Sequence, residues 1–398
     1  MKLTKLVCMI TAIVILALSL CSCSSNKVDI PAEMTTMEYV QRFGLGINLG
    51  NTFESCGEFI SKDKVSNFET AWGSPIITEE IIQGYADAGF GVVRVPVAWS
   101  NMMDEDYTIH QDYLDRVHEV VEWITDAGMC AIVNIHWDGG WWEAFPTEEE
   151  EMMKKYVRIW EQICDNFGDF GLEVMFEALN EEGCWDSLWN RHGGVVHEGK
   201  QKAYELLGRI NQKFIDVVRA SGKNNANRHL LIAGYATDII NTCDDLFVLP
   251  VDPMNRYALS VHYYTPATFA LIEEDVSWGK ARKEWGTEAD YHELNTLMDL
   301  LEETFVKKGV PVIMGEYGCA QKNKVPEQVR NYITAVCEAI YSRGMCPVLW
   351  DVTGAGFYDR ETYKFFDEQL LEEMIEIRDN TSRENLANPN GGIGYGED

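Results

Sequence analysis

The chain has 398 residues, 46% of them hydrophobic, enough apolar side chain for one large globular core. With 64 acidic against 33 basic residues its formal net charge is −31, and a field of that sign repels phosphate backbones and argues against nucleic acid as a partner. The acidity is spread along the chain rather than gathered in a tail, as a well-solvated exported surface would have it.

Lys2 and Lys5 precede an apolar run from Leu6 to Leu20, suited to a signal-peptide core and short of the roughly 20 residues a spanning helix needs. It ends in Leu20-Cys21-Ser22-Cys23-Ser24-Ser25, which is similar to a bacterial lipoprotein signal. The expectation is an export signal over 1–22 and a lipidated Cys23, giving a cell-surface lipoprotein or secreted protein attached to membrane only through that lipid. An uncleaved anchor is the alternative. A polar tether over 23–36, one globular domain over 37–378 and a polar, glycine-rich tail over 379–398 follow, and a monomer is expected. The cysteines from Cys56 onward show no C-x-x-C or other metal spacing, so no metal or cofactor site is expected; their disulfide state is open.

Apolar stretches of strand length then recur along the chain: Leu45–Leu49, Val92–Val97, Ala131–Ile135, Val174–Leu179, Leu230–Ala233, Tyr257–Val261, Val310–Met314 and Val348–Trp350. Helical periodicity fills most gaps, as in Tyr113-Val117-Val120-Val121-Ile124 and Tyr204-Leu207-Ile210-Phe214-Val217, and these segments close on glycines such as Gly128, Gly222, Gly309 and Gly344. Continuous apolar strands alternating with helices imply a parallel sheet covered on its outer face. The fold class is α/β, a single (β/α)8 barrel. An open doubly wound sheet is the alternative, but no G-x-G-x-x-G or P-loop follows the first strand.

A barrel of this kind carries its chemistry where its strands end in sequence, on the face where the strand-to-helix loops gather. Polar groups stand there: Arg94 in VVRVPVAW, Asn134 and His136 in IVNIHWDGGWW, Asn180 and Glu181 in ALNEEG, His262 and Tyr264 in SVHYYTP, Glu316 in VIMGEYG and Trp350 in PVLWD. One strand-end carboxylate is usually a loop ion pair; two, flanked by Arg, two His, Tyr, Asn and Trp, are harder to obtain that way. Glu177 shares a face with Glu181 on a regular strand, so either it is paired inside the barrel or a bulge re-aims the strand end.

The ordered set ALNE, VHYYTP and GEYG resembles glycoside hydrolase family 5, from GLGINLGNTFE at 44–54 to VLWD at 348–351, and most resembles its bacterial endo-β-1,4-glucanases (cellulases). The resemblance implies a retaining double displacement on β-glucan, with Glu181 as general acid/base and Glu316 as nucleophile. It further implies that Arg94 and Tyr264 hold Glu316 charged, that His262 tunes Glu181, and that Asn180 meets the sugar 2-hydroxyl. His136 would line the floor, with Trp350 beneath the sugar. Where many members have two successive histidines this chain has His136-Trp137, which leaves the role of Trp137 open between sugar binding and packing. Trp141 and Trp142 are expected as a sugar platform, with part of the aromatic supply at Trp185, Trp189, Trp278 and Trp285 anchoring loops instead. Xyloglucan, mixed-linkage β-glucan or β-mannan is the alternative substrate, and a non-catalytic surface polysaccharide receptor the alternative function.

Overall fold

Two apolar clusters alternate along seven of the eight strands. In the computed structural model, which describes residues 27–191 and 199–381, Val92, Ile132, Met175, Leu231, Ala258, Ile313 and Val348 belong to one cluster. Their sequence neighbours Val93, Val133, Phe176, Ile232, Leu259, Met314 and Leu349 belong to the other. That period of two is what strands buried on both faces require. The strands are β1 (Gly46–Asn48), β2 (Val92–Val95), β3 (Cys130–Asn134), β4 (Val174–Glu177), β5 (Leu230–Ala233), β6 (Tyr257–Tyr263), β7 (Val312–Tyr317) and β8 (Cys346–Leu349). They pair in parallel in sequence order, and Gly46 opposite Val348 joins β8 to β1, closing the (β/α)8 barrel expected from the alternation. Signal peptide, Cys23 and the tail from 382 lie outside the described residues.

A helix at Thr36–Arg42, started by a capping box between Thr35 and Glu38, carries Tyr39 and Val40, with Phe43 just beyond it, into the inner cluster and plugs the barrel. Its end lies against the chain entering β2, where a Cβ on Gly91 would sit 2.0 Å from the Phe43 carbonyl oxygen. Helices at Gln111–Asp126, Phe145–Asn166, Lys200–Ala220, Glu288–Thr304 and Pro326–Tyr341 contribute their apolar stripes to the outer cluster. The eight described cysteines are free thiols, and no described helix is long and apolar enough to cross a membrane.

Strand ends differ from the sequence expectation where the chain turns functional. β4 stops at Glu177, before Leu179, whereas β6 and β7 run past Val261 and Met314 through register shifts between Val261 and His262 and between Met314 and Tyr317. Such irregularities re-aim side chains, and here they bring His262 opposite Glu316.

The β8–β1 seam is tied at its upper end by Arg360. This buried guanidinium donates to the carbonyls of Gly50 and Asp351 at 3.0 and 3.3 Å and to the hydroxyls of Thr52 and Ser74 at 3.0 and 2.8 Å. Asp351 accepts the N–H groups of Phe357 and Tyr358. Arg360 Nη2 also stands 3.5 Å from the Asp351 carboxylate, both side chains fully buried; removing one partner of a buried ion pair strands the other, so Arg360→Ala is expected to lower unfolding free energy by about 3 kcal/mol. Urea unfolding checks this; a loss under about 1 kcal/mol, the range of exposed pairs, would show that the seam does not depend on Arg360.

Candidate active site

One strand step above the inner apolar layer lies a polar one. Asn48 follows Gly46, Arg94 follows Val92, Glu177 follows Met175 and Ser260 follows Ala258, each by two residues, and all four are fully buried. Arg94 is the hub. Its Nε donates to Glu177 at 2.6 Å, Nη1 to Glu316 at 2.8 Å and Asn48 at 3.0 Å, and Nη2 to the Asn180 side-chain oxygen at 2.8 Å. Ser260 Oγ donates to the other oxygen of Glu177 at 2.7 Å. Burial works against the Arg94 charge, but the Glu177 and Glu316 carboxylates outweigh it and raise the guanidinium's pKa further. Glu177 is therefore paired inside the barrel, with no bulge at β4.

Glu181 and Glu316 face each other across His262. One side-chain atom from each of the three lies within 4.8 Å of the others. His262 Nδ1 is 2.8 Å from Glu181 and 3.6 Å from Glu316. Its Nε2 has no hydrogen-bond partner among the described residues and faces Gly315, where an added Cβ would stand 3.1 Å away, so Nδ1 is the nitrogen through which the ring meets the two carboxylates. Glu316 is nearly buried and accepts from Arg94 and, at 2.8 Å, from the Tyr264 hydroxyl; the Glu181 side chain is half-exposed.

Burial pushes the Glu316 carboxyl up, against the charges of His262 and Arg94 and the Tyr264 hydrogen bond. At Glu181 burial also pushes upward, but the hydrogen bond and charge of His262, with Arg94 behind, bring it below its ordinary value. The two largest downward influences on Glu181 thus both come from His262. Glu181 answers to that ring, while Glu316 keeps both Arg94 and Tyr264. Burial and the two carboxylates push the Tyr264 phenol well up, so it remains a donor. His136 is held neutral, its pKa pushed well down by burial and the charges of Arg94 and His262, and it stacks on the half-buried Trp350 with ring centroids 5.8 Å apart.

The DGGWW loop corrects one expectation. Trp142 is buried; its indole N–H donates to the Trp137 carbonyl at 3.1 Å and its own carbonyl accepts from Trp185, so it anchors the loop and offers no sugar platform. Trp141 is half-buried, donates to Asp138 at 2.6 Å and carries Lys155 4.7 Å from its ring centroid. The open indole is Trp137, 44% exposed on a left-handed backbone at φ 46° that a bulky side chain rarely adopts. Trp185, Trp189 and Trp285 are buried as anchors, and Trp278 is exposed.

A family model described as cellulase (glycosyl hydrolase family 5) matches residues 54–356. The chain belongs to glycosyl hydrolase family 5. It is 31% identical over 356 residues to endoglucanase A of Ruminococcus albus, covering 86% of this chain and 93% of that protein. To cellulase/esterase CelE of Acetivibrio thermocellus it is 32% identical over 344 residues, 85% of this chain, and it spans only 39% of that longer protein. A solved broad-specificity endoglucanase of an uncultured bovine rumen ciliate superposes with a TM-score of 0.78 at 33% identity, over 87% of this chain and 99% of that one. The chain is thus a glycoside hydrolase, and the receptor reading is set aside.

Three buried acids around the site carry no sequence signal. Glu182 is buried, accepts the Asn180 N–H, and has its pKa pushed well up by burial. Glu54, pushed by burial to about 7, accepts the N–H groups of Asn51 and Thr52; Asp138, pushed by burial to about 6, accepts from Ser100 and Trp141. Acids that hold loops by their backbone N–H groups leave no periodic trace, although the period of two did put Glu177 on the inner face.

Trp137→Ala is expected to raise KM on long glucans several-fold with little change in thermal midpoint, and Trp142→Ala to lower the midpoint. Steady-state kinetics and thermal melts of both variants check this; the reverse pattern would make Trp142 the platform.

Proposed function

We propose that the protein is an exported, retaining endo-β-1,4-glucanase in which Glu316 attacks the anomeric carbon while Glu181 protonates the leaving oxygen. The observation that carries this reading is the pair of facing carboxylates with oxygens within 4.8 Å and opposite partner sets. Retaining pairs stand about 5–5.5 Å apart, too close for an intervening water. Glu316 has two fixed donors suited to an ionised nucleophile, whereas Glu181 is open to the cleft and bonded to a ring that can supply or accept a proton. After the glycosyl-enzyme bond forms, the deprotonated Glu181 takes a proton from water, which attacks the same carbon from the vacated side and releases Glu316. Arg94 occupies the Asn180 side-chain oxygen, so the Asn180 amide N–H2 is what remains to donate to the sugar 2-hydroxyl. The half-buried Trp350 offers the sugar an apolar face.

The kinship with a broad-specificity endoglucanase supports several soluble β-glucans as substrates, with xyloglucan, mixed-linkage β-glucan and β-mannan as the alternatives. A panel of these polysaccharides ranks them, and NMR of the first-formed anomer tests retention; an inverted product overturns the mechanism. Glu181→Gln is expected to lose about 10²- to 10⁴-fold on natural glucans, the usual worth of a general acid, and far less in the glycosylation step of aryl glycosides whose leaving group needs no proton. Tyr264→Phe removes a hydrogen bond to the ionised form of Glu316. Its pKa then rises, and the acid limb of the kcat/KM profile is expected to move to higher pH, as pH–rate profiles would show. The surface lipoprotein assignment is tested by the mass of the mature protein, which should lack 1–22 and carry lipid on Cys23.

A further inference from the structure

We propose that Glu177 is a positioning residue that fixes the rotation of Arg94 and divides its charge, so that the nucleophile Glu316 receives one N–H and only part of a cation. This rests on the reading of Glu316 as nucleophile.

The geometry is that of a clamp. Arg94 and Glu177 have no side-chain exposure, and Glu177 takes Arg94 Nε at 2.6 Å on one oxygen while Ser260 Oγ holds the other at 2.7 Å. A planar guanidinium gripped at Nε by Glu177, at Nη1 by Asn48 and at Nη2 by Asn180 has no freedom to turn. The Nη1 hydrogen bond to Glu316 is thereby set from the far side of the fork. Glu177 touches neither Glu181 nor the open cleft, and so can act on the reaction only through Arg94.

The charge division follows from counting. Arg94 is one buried cation between two buried carboxylates, Glu177 and Glu316. The other charged or titratable groups around Glu316 are Glu181 beyond β4 and His262 and Tyr264 from β6; His136, at the end of β3, is turned to Arg94 and His262. With Glu177 in place, Arg94 cannot form a self-contained ion pair with Glu316, and the nucleophile keeps the basicity that attack on carbon demands. Without that negative charge the whole cation falls on Glu316, a weaker base and a poorer nucleophile.

The test is the pH dependence of kcat/KM for Glu177→Gln and Ser260→Ala in the full chain. Gln keeps an acceptor for Arg94 Nε but removes the charge, so the acid limb should move to lower pH by about one unit, with kcat down about tenfold and KM little changed. Ser260→Ala removes the hydroxyl that shares the Glu177 charge, leaves more of it bearing on Arg94, and should move the limb the opposite way. A Glu177→Gln enzyme that is merely less stable, with its acid limb unmoved, overturns the proposal; should that variant not fold, an unmoved limb in Ser260→Ala does so. Labelling the wild type with a 2-deoxy-2-fluoro glycoside keeps the two readings apart. A label on Glu316 with unmoved limbs refutes the role of Glu177 alone, whereas a label elsewhere overturns the nucleophile assignment and this proposal with it.

Discussion

A guanidinium cut off from water must be neutralised where it stands. Arg94 is fully buried near the mouth of the barrel, and desolvation of such an ion costs several kcal/mol unless partners recover it. Closure supplies them. Register puts Asn48 beside Arg94 on β1, Glu177 arrives from β4 across the barrel, and Glu316 comes from β7. Four of the eight strands thus send a side chain to one cation or its counter-ion, since Ser260 on β6 completes Glu177. Closure through β8 keeps β1 near β7, so that Asn48 and Glu316 reach the same guanidinium nitrogen; an open sheet would leave β1 and β8 at opposite edges. The fold's closure and the charge state of Glu316 are one constraint.

That constraint treats Glu181 and Glu316 unequally. Glu316 lies within the network and is held by Arg94 and Tyr264 whatever happens above it. Glu181 lies outside, half-exposed, and its hydrogen bond to His262 Nδ1 holds its pKa below the ordinary value. The double displacement proposed for this site needs such an asymmetry, because its acid/base must change protonation twice per turnover while its nucleophile must not pick up a proton at all. The register shift at Val261/His262 produces it, since His262 then stands opposite Glu316 while its Nδ1 reaches Glu181.

Much of this was legible in the sequence, for physical reasons. Continuous apolar strands alternating with helices, and left-handed glycines such as Gly128 and Gly222 at the helix ends, encode the barrel locally, and strand ends locate the polar groups by topology alone. What local patterns cannot encode is the partner. Glu177 fell on the inner face by its period of two, yet the choice between an ion pair and a bulge depended on Arg94, 83 residues earlier, and on Ser260, 83 residues later. The adjacent indoles Trp141 and Trp142 likewise look alike in sequence. A tight turn with two left-handed glycines, Gly139 and Gly140, sends Trp142 inward to the Trp137 carbonyl and leaves Trp137 outside.

Trp137 follows His136 on a loop whose shape is set by Asp138 and Trp142, and it takes no part in the hydrogen bonds of Arg94. Substitution there can alter which sugars meet an aromatic face without touching the charge of Glu316. The strands carry chemistry because their side chains answer to one buried cation and cannot change singly; the loops are held by their own acids and indoles, so they can change the substrate while the reaction stays the same.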